Sequence, residues 1–105
     1  MVIVEQRDYH VHTGKLPELV KLYQDEGIAI QQEVLGGFVG AFTTDIGALS
    51  TYTSMWRYES FAEREERRDA LQRRADWKAF LAKITPLIHT QQNRILTPTS
   101  FSAIR

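Results

Sequence analysis

The chain has 105 residues, 13 basic and 13 acidic side chains, 43% apolar residues and no cysteine. That length suits one domain with its own core, and the lack of cysteine excludes disulfides, thiolate metal sites and cysteine nucleophiles. Formal neutrality withholds the broad field that nucleic acid or anionic lipid would require, and no apolar run approaches the roughly 20 residues of a membrane span.

Val2-Ile3-Val4 follows Met1 without a basic segment or cleavage site, so a cytoplasmic location is the expectation. Val2 to His12 reads as a strand, rich in β-branched and aromatic residues up to the Thr13-Gly14 breaker. Alternation puts Ile3, Glu5, Arg7, Tyr9 and Val11 on one face and Val4, Gln6, Asp8 and His10 on the other. Leu16-Pro17 opens a helix with an apolar stripe of Leu16, Leu19, Val20, Tyr23, Gly27 and Ile30. Gly27 is expected to fray or kink it, with helix resuming from Ala29 to Val34.

Gly36-Gly37 marks a turn, and Phe38 to Thr43 is a second strand in which Gly40 signals a close approach. Leu49 to Tyr58 is a third, with Tyr52, Ser54, Trp56 and Tyr58 on one face and Thr51, Thr53, Met55 and Arg57 opposite. Ser60-Phe61-Ala62-Glu63 matches a capping box and opens a helix running to about Arg74. A break at Ala75-Asp76 precedes a further helix with Trp77, Phe80, Leu81 and Ile84 on one face, ending near Pro86. Thr90 to Thr97 is the last strand, and Pro98 onward a surface tail.

The order predicts a ferredoxin-like α+β fold, βαββαβ, whose helices cover one face of a four-stranded antiparallel sheet. The other face then lacks cover from its own chain, and a twofold copy is the economical way to bury it, so a homodimer is expected.

Several segments resemble the NIPSNAP family: Glu5-Gln6-Arg7-Asp8-Tyr9, Gly14-Lys15, Gly40-Ala41-Phe42, Met55-Trp56-Arg57-Tyr58-Glu59-Ser60 with Ala62 and Arg64, Asp76-Trp77 and Gln92-Asn93-Arg94-Ile95. The resemblance spans nearly the whole chain and implies a dimeric α+β barrel, two sheets facing each other about a cavity. The wider superfamily includes monooxygenases and haem-degrading enzymes, and animal NIPSNAP members are linked to vesicle and mitochondrial roles as interaction proteins. Against the family pattern, Ser54 stands where a histidine is expected and Gln92 where a glutamate is. Both replacements remove a titratable group that acid–base chemistry would use.

The strongest constellation is Glu5, Arg7 and Tyr9 with Tyr52, Ser54, Trp56 and Tyr58, placed on one sheet surface by their shared parity. On a face between two sheets they would line a small-ligand pocket, Arg7 anchoring an anionic group and Trp56 stacking. The bland alternative is that Glu5 and Arg7 form cross-strand ion pairs while the aromatics fill the dimer core. His10 and His12 lack the converging ligands of a metal site, so no metal and no cofactor are expected. The charged stretch from Glu63 to Asp69 reads as a solvated helix face with i,i+4 pairs Glu63–Arg67 and Asp69–Arg73 and an i,i+3 pair Glu65–Arg68. Three functions stay open: binding of a small organic molecule, anionic or aromatic; a cofactor-independent monooxygenase or isomerase; and a non-catalytic interaction module whose barrel is filled by side chains.

Overall fold

A computed structural model describes residues 1–105. Strand β1 (Ile3–Val11) leads into helix α1 (Leu16–Leu22), a π-helical turn (Tyr23–Gly27) and helix α2 (Ile28–Leu35). Strands β2 (Phe38–Thr43) and β3 (Thr51–Tyr58) follow, then helices α3 (Phe61–Arg73) and α4 (Ala75–Ile84), a 3-10 turn (Thr85–Leu87) and β4 (Ile88–Leu96). The antiparallel sheet runs β2-β3-β1-β4, which is the ferredoxin-like arrangement predicted from the element order. None of the helices is long and apolar enough to cross a membrane.

The first helical stretch does not break at Gly27. It widens into one π turn, the usual way a helix absorbs an extra residue. The glycine itself answers to a neighbour: a Cβ on Gly27 would sit 2.3 Å from the Phe80 ring, so only glycine lets α4 come this close. Gly40 behaves similarly, leaving room for the ring of Phe42 at 2.8 Å from where its Cβ would lie. Strand β3 begins two residues later than expected, because Ser50 takes a left-handed φ of 60° and turns the chain just before it.

Helix α3 opens as its sequence signal requires. The Glu63 N–H donates to Ser60 Oγ at 3.1 Å, while the Glu63 carboxylate reaches past Ser60 to accept from the Glu59 N–H. Arg74 then adopts extended backbone and separates α3 from α4. Of the expected surface pairs, Glu63–Arg67 forms at 2.9 Å; Asp69 and Glu65 take no part in an ion pair.

The core lies between the sheet and the helices. Tyr52 of β3 stacks on Tyr23 at 4.7 Å between ring centres, Tyr23 meets the Phe80 edge at 4.9 Å, and Phe80 stacks on Trp77 at 5.2 Å. Each such side chain, fully buried, contributes about 1.5–3 kcal/mol through removal from water. These contacts fix which face is which. Ile3, Glu5, Arg7, Tyr9 and Val11, with Tyr52, Ser54, Trp56 and Tyr58, point beneath the helices.

The opposite face carries Gln6, Asp8, Thr53 and Met55 and has no helix on it. The C-terminal residues are more than a surface tail: they bend over one end of this face, where Val4, Met55, Leu96 and Ile104 surround a cavity of about 290 Å³. Arg57 Nη2 donates to the Arg105 carbonyl at 3.4 Å, tying the chain end to β3.

Candidate functional site

Glu5 is the polar centre of the helix-covered face and is fully buried. The register sets Arg7 between Ser54 and Asn93, and Tyr9 between Tyr52 and Gln91. Arg64 of α3 donates from Nε to Glu5 Oε1 at 3.1 Å and from Nη2 to Oε2 at 2.8 Å, a two-pronged bond between helix and sheet. Arg7 Nη1 and Asn93 Nδ2 also donate to Oε2, at 3.0 and 2.7 Å. Burial by itself would raise the Glu5 carboxyl. The hydrogen bonds from Arg64 and Asn93 and the charges of Arg7 and Arg64 outweigh it, holding the group down at about 2. Glu5 is therefore a fixed anion whose acceptor capacity is already used.

Arg7 is held at both ends. Its Nε donates to the Tyr9 phenol oxygen at 3.1 Å, its Nη1 is committed to Glu5, and its carbon centre lies 5.7 Å from the Tyr9 ring centre. Its hydrogen bonds leave Nη2 free. Tyr9 and Arg7 border two neighbouring hollows between β1, β4 and the α3–α4 corner. The larger, about 440 Å³, is also lined by Arg68, Gln72, Trp77, Leu81, Ile88, His89 and Gln91. The smaller, about 170 Å³, adds Gln92 and Asn93. No carboxylate lines either one. The cleft exists because β4 is an edge strand that the helices cover poorly, its residues from His89 to Arg94 being exposed. Arg68 and Trp77 both line the larger hollow; the Trp77 Nε1 donor is buried without an acceptor, and Arg68 reaches toward the buried Tyr58 hydroxyl.

Sequence parity brings the seven expected site residues together on one surface, but that surface is not the one between two sheets. A cavity between facing sheets cannot be lined by Glu5, Arg7, Tyr9, Tyr52, Ser54, Trp56 and Tyr58, because the chain's own helices lie on them. Only Arg7 and Tyr9 reach the cleft. Trp56 is fully buried and donates to Ser54 Oγ at 3.1 Å, and Phe38 packs on it at 4.8 Å. Tyr52 and Tyr58 are likewise core, the Tyr52 phenol pushed up to about 12 by burial and by Tyr9. The Glu5–Arg7 pair forms along one strand, where a cross-strand pair was the alternative.

Arg64, Arg68, Trp77 and Asn93 were not recognisable as site residues from charge pattern alone. Arg64 and Arg68 sit in a stretch that looks solvated, yet Leu71 is fully buried, and residues seven and three positions earlier share its side of a helix. That phase was the available signal. His10 bonds Thr51 Oγ1 at 2.9 Å, His12 packs against His89 at 5.2 Å, and no group of three metal-ligating side chains assembles.

Comparison with known proteins agrees with this architecture. The NIPSNAP family model matches residues 4–103. Protein NipSnap of Drosophila melanogaster is 32% identical over 95% of this chain, and NipSnap homolog 2 of Homo sapiens 28% over 98%. The chain spans about a third of the length of those relatives, 36% and 35%. A NIPSNAP family protein from Agrobacterium tumefaciens superposes with a TM-score of 0.97 at 47% identity, with both chains fully covered. A Nitrosomonas europaea protein whose name places it among antibiotic biosynthesis monooxygenases shares the fold, with a TM-score of 0.70 at 8% identity over 97% of this chain and 94% of its own. On the family match and the shared architecture, the chain belongs to the NIPSNAP family.

Proposed function

We propose that this protein binds a small organic molecule, anionic or aromatic, in the cleft between β4 and the α3–α4 corner, as one half of a homodimer. The observation that carries the reading is the lining: two guanidinium groups, Arg7 and Arg68, beside an aromatic wall, with no carboxylate in the lining itself. At about 440 Å³ the cleft lies near the small end of the roughly 300–1,000 Å³ of small-molecule sites. Arg7 keeps the anchoring role expected of it, while Trp77 takes the wall position expected of Trp56.

Dimerisation rests on the other face of the sheet. Phe42 is 55% exposed and Leu96 37% exposed there, next to Thr53 and Met55, with cover at one end only. Exposed apolar groups at both edges of an open sheet face support a twofold partner. The two features occupy opposite sides of the sheet, so the partner leaves the cleft open.

Native mass spectrometry of freshly purified protein tests both parts. The expected species is a dimer of the 12.1 kDa chain carrying added small-molecule mass that is lost in Arg7→Gln. A bare monomer in the wild type overturns the reading.

A further inference from the structure

We infer that the ligand is amphiphilic, with an anionic head that accepts hydrogen bonds from Arg7 and Arg68 and a flat apolar body lying against Trp77. This inference rests on the cleft being the binding site and specifies what the cleft selects. Five buried side-chain atoms in the protein lack a hydrogen-bond partner. Two of them, Arg68 Nη1 and Trp77 Nε1, are on residues of this cleft; the first lies against the buried Tyr58 hydroxyl, which leaves the other guanidinium nitrogens of Arg68 for the cleft. Trp77 itself is only 2% exposed. The indole N–H of Trp77 therefore lies just behind the wall of the cleft, where it senses what fills it.

Arg7 adds to this set. Its Nε and Nη1 are committed to Tyr9 and Glu5, which lock the guanidinium plane and leave Nη2 for a ligand. The carboxylate that positions Arg7 cannot itself receive the ligand, since Arg64, Arg7 and Asn93 already saturate it. The glutamines and threonines of the lining serve as either donor or acceptor, and no anion is present to welcome an ammonium head. The apolar part of the wall, Trp77 with Leu81 and Ile88, suits a ring or a short hydrocarbon body. Carboxylates and phosphate monoesters share the head-group chemistry.

The test follows the two indole N–H signals of ¹⁵N-labelled protein, the Trp77 signal identified by Trp77→Phe, during titration with benzoate, phenyl phosphate and benzamide. Benzamide keeps the shape of benzoate but is neutral and carries N–H donors. The Trp77 signal is expected to move with benzoate or phenyl phosphate at concentrations at least about tenfold below those needed with benzamide, because charge-assisted bonds to guanidinium are the stronger kind. The tighter of the two anions identifies the head group. The Trp56 signal, tied to Ser54 Oγ, stays in place. Arg68→Gln should weaken the anions more than benzamide, so that the benzoate and phenyl phosphate midpoints move toward the concentration benzamide needs. If benzamide and both anions move Trp77 equally, the cleft binds ligands but this selectivity is wrong. If none moves it, the cleft reading falls and takes the inference with it.

Discussion

Arg64 grips Glu5 with two nitrogens, at 3.1 and 2.8 Å, and thereby fastens the first turns of α3 to the centre of β1 across 59 positions of sequence. Glu5 is fully buried, while the Arg64 and Arg7 side chains retain 24% and 13% exposure. Glu5→Gln would leave two largely enclosed guanidinium groups facing an amide. Breaking one side of such a pair costs about 3–5 kcal/mol when fully buried, and the residual exposure of both arginines argues for about 3. Arg64→Ala should cost less, about 1–2 kcal/mol, because Glu5 keeps Arg7 and Asn93. Urea unfolding of the two variants measures the ordering, and a Glu5→Gln chain within 1 kcal/mol of wild type, as an order-of-magnitude threshold, contradicts the network's structural weight.

Acid should expose the same network. The Glu5 carboxyl sits at about 2 in the folded chain against 4.5 ordinarily, so the unfolded chain binds the proton more tightly. The stabilisation is complete above about pH 4.5 and is lost as pH falls toward about 2, amounting to about 3 kcal/mol at one kcal-scale step per pKa unit. Asp8, Glu63 and Asp76 are also held below their usual values, Asp8 by the Thr53 hydroxyl and other bonds overcoming its burial, Glu63 by the Glu59 N–H and Asp76 by Arg74. Their contributions are common to wild type and Glu5→Gln. The difference between the two unfolding free energies, followed from pH 6 to 2.5, should therefore shrink on acidification, and a constant difference refutes the assignment.

At Gly27 the ordinary helix rule reverses. In an exposed helix interior, glycine to alanine gains about 1 kcal/mol. Here the added methyl would lie 2.3 Å from the Phe80 ring, which is itself buried between Tyr23 and Trp77. Gly27→Ala should instead destabilise by about 1–3 kcal/mol through overpacking. Combining it with Phe80→Leu should cost less than the sum of the single changes, since the shorter side chain vacates the clash. Thermal melts of the four proteins in this cycle decide the matter, and additive losses would mean the ring is not the obstacle.

The strands, the capping box at Ser60 and the covering of one sheet face were legible because each depends on local spacing. Parity alone placed Glu5, Arg7, Tyr9, Tyr52, Ser54, Trp56 and Tyr58 side by side. What obscures the side the helices take is that the more apolar face of β1, with Ile3, Tyr9 and Val11, also carries the charged pair Glu5 and Arg7. Charge on the inner face misled most. Glu5 and Arg7 look like surface residues until Arg64 and Asn93, 59 and 88 positions distant from Glu5, arrive to satisfy them. The cleft was invisible for a related reason: it depends on how far β4 projects beyond the helices, a matter of tertiary packing with no periodic signal.

The open sheet face offers the last test. Phe42 and Met55 sit on neighbouring strands there, on the side away from the Glu5 network, next to the Asp8–Thr53 hydrogen bond of 2.6 Å. Phe42→Asp together with Met55→Asp would bury two like charges in each subunit of a dimer closed through this face, set against two more of the same sign across the twofold axis. An unpaired buried charge costs several kcal/mol, enough to shift a micromolar dimer to monomer, since about 1.4 kcal/mol changes the constant tenfold. Light scattering should report the wild type at twice the 12.1 kDa chain mass and the double variant near that mass itself. The variant should keep the Trp77 indole signal and its response to benzoate, because the cleft lies on the other side of the sheet. A double variant that stays dimeric would move the interface to another surface, and one that loses the cleft response with its partner would show that the two faces are not independent.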